Sequence, residues 1–170
     1  MTSICRNVTI YIFRKNSIFI KNFFFINTLF KTYIINTGNL MKLDIYINYP
    51  GHCEKAFRFY EQHLGGKISM MMPHQQPPPN FPGVWDNPIL HAIMEIGGTM
   101  VRGADVPGAE PMRSAYLTLI LDTPGKAEDI YNLLSSDGEI FMKMEKTFFA
   151  NRFAMLRDKF GTSWMLLNEN

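Results

Sequence analysis

The sequence predicts an α+β fold built from two tandem copies of one strand–helix–strand–strand–strand unit, and three observations carry that prediction. First, "YPGHCEKAFRFYEQHLGGKISMMM" from Tyr49 is echoed by "TPGKAEDIYNLLSSDGEIFMKM" from Thr123. With Pro50-Gly51 set over Pro124-Gly125 and a two-residue gap, residues 66–70 fall on residues 138–142. Second, "HAIMEIGGTMVR" from His91 lies over "RFAMLRDKFGTSWM" from Arg152, with Met94 on Met155 and Gly98-Thr99 on Gly161-Thr162. Third, the period of the apolar residues changes in the same order in both copies. Two copies make a duplication, whereas a solenoid would need more.

In the first unit, "KLDIYINY" alternates: Leu43, Ile45, Ile47 and Tyr49 share one face, and Asp44, Tyr46 and Asn48 the other, as in a half-buried strand. Cys53, Phe57, Tyr60 and Leu64 then recur at helical spacing, with Glu54 and Arg58 four apart on the outside. Gly65-Gly66 stops the helix, because glycine takes the left-handed cap conformation without steric penalty. "KISMMM", "HAIMEI" and "TMVRGA" follow as strands. The second unit reads the same way through "AYLTLILD", a helix over Ala127, Ile130, Tyr131 and Leu134, then "EIFMKM", "RFAMLR" and "SWMLLN". The units span residues 42–105 and 113–170 of a single domain, 41–170.

The 170 residues are 46% hydrophobic and 19% charged, a balance that supports one compact core. Formal net charge is +2, yet the first forty residues contribute five bases and no acid. The remainder is net −3 and offers no electrostatic footprint for nucleic acid. The apolar runs of residues 1–40 are broken by Lys21, Asn22 and Asn27, short of the roughly 20 residues a membrane span needs. Their Asn and Phe content fits neither a secretory signal nor an organellar leader. Residues 1–40 are therefore read as an extension outside the fold, with Met41 as the expected true start. With only Cys5 and Cys53, no disulfide frame or thiolate zinc site is available, and a cytoplasmic location is expected. The segment 73–88, "PHQQPPPNFPGVWDNP", is long and proline-rich for a connection and is read as a loop at the mouth of a cleft, with Trp85 as a lid residue.

Two βαβββ units carrying "AFRFYEQHLGG", "HAIMEIGG" and "KTFFANRFAMLRDKFGTSWML" resemble the vicinal oxygen chelate superfamily of glyoxalases, extradiol dioxygenases and bleomycin-resistance proteins. The likeness covers residues 42–168 and is greatest to its PhnB-like group, some members of which are labelled 3-demethylubiquinone 3-methyltransferase. It implies a curled sheet around a cleft and a homodimer. Metal-using relatives place His on the first strand of each unit and a carboxylate on the last. The corresponding positions here are Asp44, Tyr116 or Thr118, Arg102 and Met165. Arginine cannot ligate a metal and methionine is a poor ligand for hard cations, so no metal cofactor is expected.

The resemblance instead brings Asp44 and Arg102 together in a Met- and aromatic-lined pocket, either as a structural ion pair or as a grip for an anionic or carbonyl-bearing ligand. Tyr46, His91, Tyr116, Phe148, Arg152 and Met165 complete the candidate ligand-binding set, with Phe149 and Asn151 in the same characteristic phrase as Phe148 and Arg152. His91 could act as acid or base near neutral pH. The function expected is binding of a small, partly apolar, anionic or oxygen-rich molecule. The alternative is a divalent-metal-dependent lyase, isomerase or dioxygenase. A methyltransferase finds no support, because the glycines of "EIGGTMVRGAD" lie between strands with no helix after them.

Overall fold

The structure, a computed structural model, describes residues 10–13, 17–20, 43–76, 81 and 85–170. The expected start at Met41 lies outside them. Strands β1 (Ile10–Phe13) and β2 (Ser17–Ile20) pair antiparallel within a unit of their own that ends at Leu43.

From Asp44 onward the predicted duplication is plain. The first repeat is β3 (Ile45–Tyr49), α1 (Cys53–Leu64), β4 (Lys67–Pro73), β5 (Ile89–Ile96) and β6 (Thr99–Asp105). The second is β7 (Leu117–Ile120), α2 (Pro124–Ser135), β8 (Glu139–Glu145), β9 (Ala150–Arg157) and β10 (Ser163–Glu169). Each repeat makes a four-stranded sheet, in the order β3-β6-β5-β4 or β7-β10-β9-β8, with its first and last strands parallel. Among the described residues no strand pairing joins the two sheets.

Alternation decides what each sheet buries. Ile47 and Tyr49 turn toward α1 and are 5% and 1% exposed, while Leu43, expected on that face, precedes the strand and is 97% exposed. On α1, Cys53, Ala56, Phe57 and Tyr60 form the buried stripe. The helix seats closely because β6 presents Gly103 beneath it, where a Cβ would stand 2.7 Å from the Phe57 ring. His52 at the N-cap gives α1 no side-chain cap. That role falls to the buried Asp105 at the end of β6, which accepts from the Cys53 amide (2.9 Å) and, with its other oxygen, from the Ile89 amide (2.8 Å). One carboxylate thus fixes the start of α1 and of β5 together.

The alternation also corrects the sequence alignment of the repeats. Arg102 pairs with Ile93, and Met165 with Met155, so Ile93 is the counterpart of Met155, and Met94 is the counterpart of Leu156. Met94 and Leu156 are both buried toward the helices. Nine residues separate Met155 from Met165 and eight separate Ile93 from Arg102, so the β9–β10 connection is one residue longer than its counterpart, and a one-residue slip exchanges the two faces of a strand.

The repeats meet at that longer connection. Asp158, buried, accepts from the Phe160 and Thr162 amides through Oδ1. Its Oδ2 accepts from the Trp164 indole (2.8 Å) and from the Tyr60 hydroxyl of α1 (2.7 Å). Tyr49 of β3 reaches the same place through Thr162 Oγ1 (3.2 Å). Burial pushes the Asp158 carboxyl above its ordinary range against the pull of these donors, and pushes the Tyr60 phenol up as well. Tyr60→Phe removes the donor that crosses between repeats and leaves Oδ2 with one partner. Urea unfolding is expected to show a loss of about 1–3 kcal/mol. A change below about 0.5 kcal/mol, the scale of a neutral surface substitution, would show that the hydroxyl does not hold the joint.

Candidate functional site

The face of the first sheet turned away from α1 carries the chemistry. Tyr46 lies beside Arg102 in register, Arg102 beside Ile93, and Ile93 beside Met70. His91 pairs with Met72 in the next row. Met70 and Met72 reach this face because β4 is irregular between Ile68 and Met70. Ile68 and Met71 therefore pack on the core while Met70 and Met72 are exposed. Strict alternation from Ile68 hides this, and Met70, Met72 and Ile93 were accordingly not legible as site residues.

Asp44 and Arg102 meet as the resemblance implied. Both Nε and Nη2 of Arg102 donate to Asp44 Oδ2 at 2.8 Å, with the two side chains 32% and 28% exposed. At this exposure the pair is screened and contributes about 0–1 kcal/mol. Its larger consequence is to orient the guanidinium across the sheet, with Nη1 outside the described hydrogen bonds. Tyr46 leans the other way, its hydroxyl 3.0 Å from His91 Nδ1 and its ring stacked on the imidazole at 5.7 Å and 26°. Partial burial pushes the Tyr46 phenol up, with nearby Arg102 opposing, so it stays neutral near pH 7. Four predicted residues, Asp44, Tyr46, His91 and Arg102, thus form one cluster on one face.

The other predicted residues do not join it. Tyr116 lies just before β7, and Met165 is in the row Thr118–Met165–Met155–Met142 on the open face of the second sheet. Tyr116 borders a hollow of about 370 Å³ with Phe141, Arg157 and Ser163. Its ring meets Phe141 edge-on at 6.3 Å, and Arg157 lies 5.3 Å over the same ring. Hollows that span both repeats include one of about 400 Å³ lined by Ile45, Val101, Tyr116, Leu117 and Trp164, with no charged side chain, and one of about 110 Å³ bordered by His52, Glu110 and Lys159; neither is lined by Asp44 or Arg102. The expected pocket around Asp44 and Arg102 is therefore corrected. Ile45 and Val101 point into the space between repeats, and by alternation Asp44 and Arg102 point away from it.

Arg152 and Phe148 are also placed elsewhere. Arg152 alternates with Phe153 and Met155, faces α2, and bonds to Glu128. Phe148 is 95% exposed in the β8–β9 turn, edge-on to Phe149 at 5.0 Å. Asn151 bonds to the Glu169 carbonyl. Trp85, read as a lid residue, packs on the Pro50-Gly51 turn, where a Cβ on Gly51 would lie 2.6 Å from the indole nitrogen. Asn87 beside it bonds to Glu54 of α1 (3.3 Å). This end of the long connection is anchored at the start of the helix.

Among the described residues no three His, Cys, Asp or Glu side chains come together as a metal site. The donor set at the four positions of the resemblance does not fit a divalent cation: Asp44 is committed to Arg102, and the others are Tyr116 or Thr118, Arg102 and Met165. No helix among the described residues is long and apolar enough to cross a membrane.

Residues 42–166 match the family described as Glyoxalase/Bleomycin resistance protein/Dioxygenase superfamily. Protein YjdN of Escherichia coli (strain K12) is 30% identical over 139 residues, which cover 74% of this chain and 94% of that protein. The crystal structure of protein PA1353 from Pseudomonas aeruginosa matches with a TM-score of 0.66 at 32% identity, over 76% of this chain and 98% of that one. A putative 3-demethylubiquinone-9 3-methyltransferase, PhnB protein, from Bacillus cereus has the same TM-score at 21% identity, over 75% and 99%, a likeness of fold. The chain belongs to the glyoxalase/bleomycin resistance protein/dioxygenase superfamily, with a PhnB protein among its structural neighbours.

Proposed function

We propose that this protein binds a small, partly apolar, anionic or oxygen-rich molecule on the open face of the first sheet, without a metal. The observation that carries this reading is the Arg102 guanidinium, held by Asp44 and flanked by Tyr46, His91 and the exposed Met70 and Met72. A guanidinium forms paired, directional hydrogen bonds to carboxylate-like groups. Methionine supplies an adaptable apolar bed beside it. A methyltransferase reading fails on local structure, since Gly97 and Gly98 form the hairpin turn between β5 and β6, with no helix N-terminus after it. Cys53 is a buried thiol, and a reducing compartment such as the cytoplasm suits it.

Arg102→Met tests the site. A thermal-shift panel of oxo acids, hydroxybenzoates and phosphonates is expected to stabilise the native protein. The variant, folded by circular dichroism, should bind the same compounds at least about tenfold more weakly, the loss of one charged hydrogen bond. Unchanged affinity would remove Arg102 from the site.

Plasma mass spectrometry of untagged protein is expected to find metal far below one atom per chain, with no thermal stabilisation by added divalent ions. Stoichiometric iron, manganese, nickel or zinc would overturn the metal-free reading in favour of a metal-dependent lyase or oxygenase.

We also propose a homodimer. The open sheet faces expose Tyr46, Met70 and Met72 in one repeat and Ile120, Phe141 and Met142 in the other, apolar surface that a second copy would face across the ligand site, closing it into a cleft. Sedimentation velocity at tens of micromolar should show a species of twice the chain mass, and a monomer at that concentration would end this part of the proposal.

A further inference from the structure

Tyr46 and His91 stand on β3 and β5 with β6 between them, so their contact bridges over the strand that carries Arg102. A neutral imidazole has one N–H and one bare nitrogen. When Nδ1 carries the proton it donates to the phenol oxygen, the phenol proton is free for a ligand, and Nε2 is a base. In the other tautomer the phenol donates to Nδ1, and Nε2 carries the proton. The two states differ by moving one proton from the phenol end of the pair to Nε2. Arg102, in register with Tyr46, sets a permanent positive charge beside that end. The other titratable groups on this face are Asp44, already bonded to Arg102, and the in-register pair Glu95 and Lys67 at the far ends of β5 and β4.

We infer that Tyr46 and His91 form a proton relay that, with Arg102, catalyses keto–enol tautomerisation of a small 2-oxo acid. The inference rests on the binding reading above. Arg102 takes the carboxylate of the substrate and places the neighbouring ketone oxygen against the Tyr46 hydroxyl. The C3–H bond breaks and its proton goes to His91 Nε2, while the electron pair forms the C2=C3 double bond. The ketone oxygen takes the Tyr46 proton, and Tyr46 takes the proton of Nδ1. The pair is left in its other tautomer, and the reverse step restores it. No electron is gained or lost overall, and no co-reactant is consumed.

The test is proton NMR of 2-oxobutyrate in deuterated water with the full chain. The C3 protons are expected to exchange roughly a hundredfold faster than in buffer. His91→Gln should return exchange to the buffer rate even at 2-oxobutyrate concentrations that saturate the variant's thermal shift. Tyr46→Phe, which preserves shape, should slow exchange at least about tenfold when 2-oxobutyrate is raised to the concentration that saturates the variant's thermal shift. Binding with exchange no faster than buffer, or His91→Gln as fast as the native chain, overturns the relay and leaves the binding reading intact. A shift with other anions but not 2-oxobutyrate has the same meaning. No shift with any anion of the panel overturns both.

Discussion

Asp158 stands where the two repeats meet, and its carboxylate holds both. A buried carboxylate is tolerable only when its oxygens are fully used. Here two donors come from its own hairpin, one from Trp164 on β10, and one from Tyr60 on the helix of the other repeat. The bond to Tyr60 sets the α1 face of the first repeat against the helix-facing side of the second. With that side consumed in the shared core, the opposite side of each sheet is left open. The location of the candidate site follows from where the core was spent.

The same alternation then sorts charge from grease. Ile45 and Val101 enter the space between repeats, and their sequence neighbours Asp44 and Arg102 cannot. In the second repeat the equivalent row is Thr118, Met165, Met155 and Met142. Duplication preserved the scaffold and register while the side chains on the open face diverged, so one face carries a guanidinium and a tyrosine–histidine pair, and the other offers methionine.

Most of the fold was legible because period and punctuation agreed in both copies: the cues for the ten elements of the two repeats, from the alternation of Ile45–Tyr49 to the Gly65 cap, are local. The ion pair of Asp44 and Arg102 was legible only through the resemblance, which said that strands distant in sequence are neighbours. What stayed hidden depends on register. The irregularity in β4 re-aims Met70 and Met72, the longer β9–β10 connection moves Met155 to the face opposite Met94, and Arg152 turns to Glu128 on α2. Asp105 and Asp158 stayed hidden for another reason, since nothing in a lone Asp tells that separate elements will converge on it.

A guanidinium gives a site of this fold a chemistry different from that of a divalent ion. A divalent ion accepts two neighbouring oxygens of a ligand directly and acidifies bound water. Arg102 can do neither, but it presents a planar set of donors whose charge does not titrate near neutral pH. Because Asp44 engages Nε and Nη2 through one oxygen, the guanidinium is held in plane, with Nη1 outside the described hydrogen bonds. Recognition by such a group favours planar oxygen pairs over isolated hydroxyls. Any chemistry beyond recognition must come from side chains that move protons, and on this face that means Tyr46 and His91.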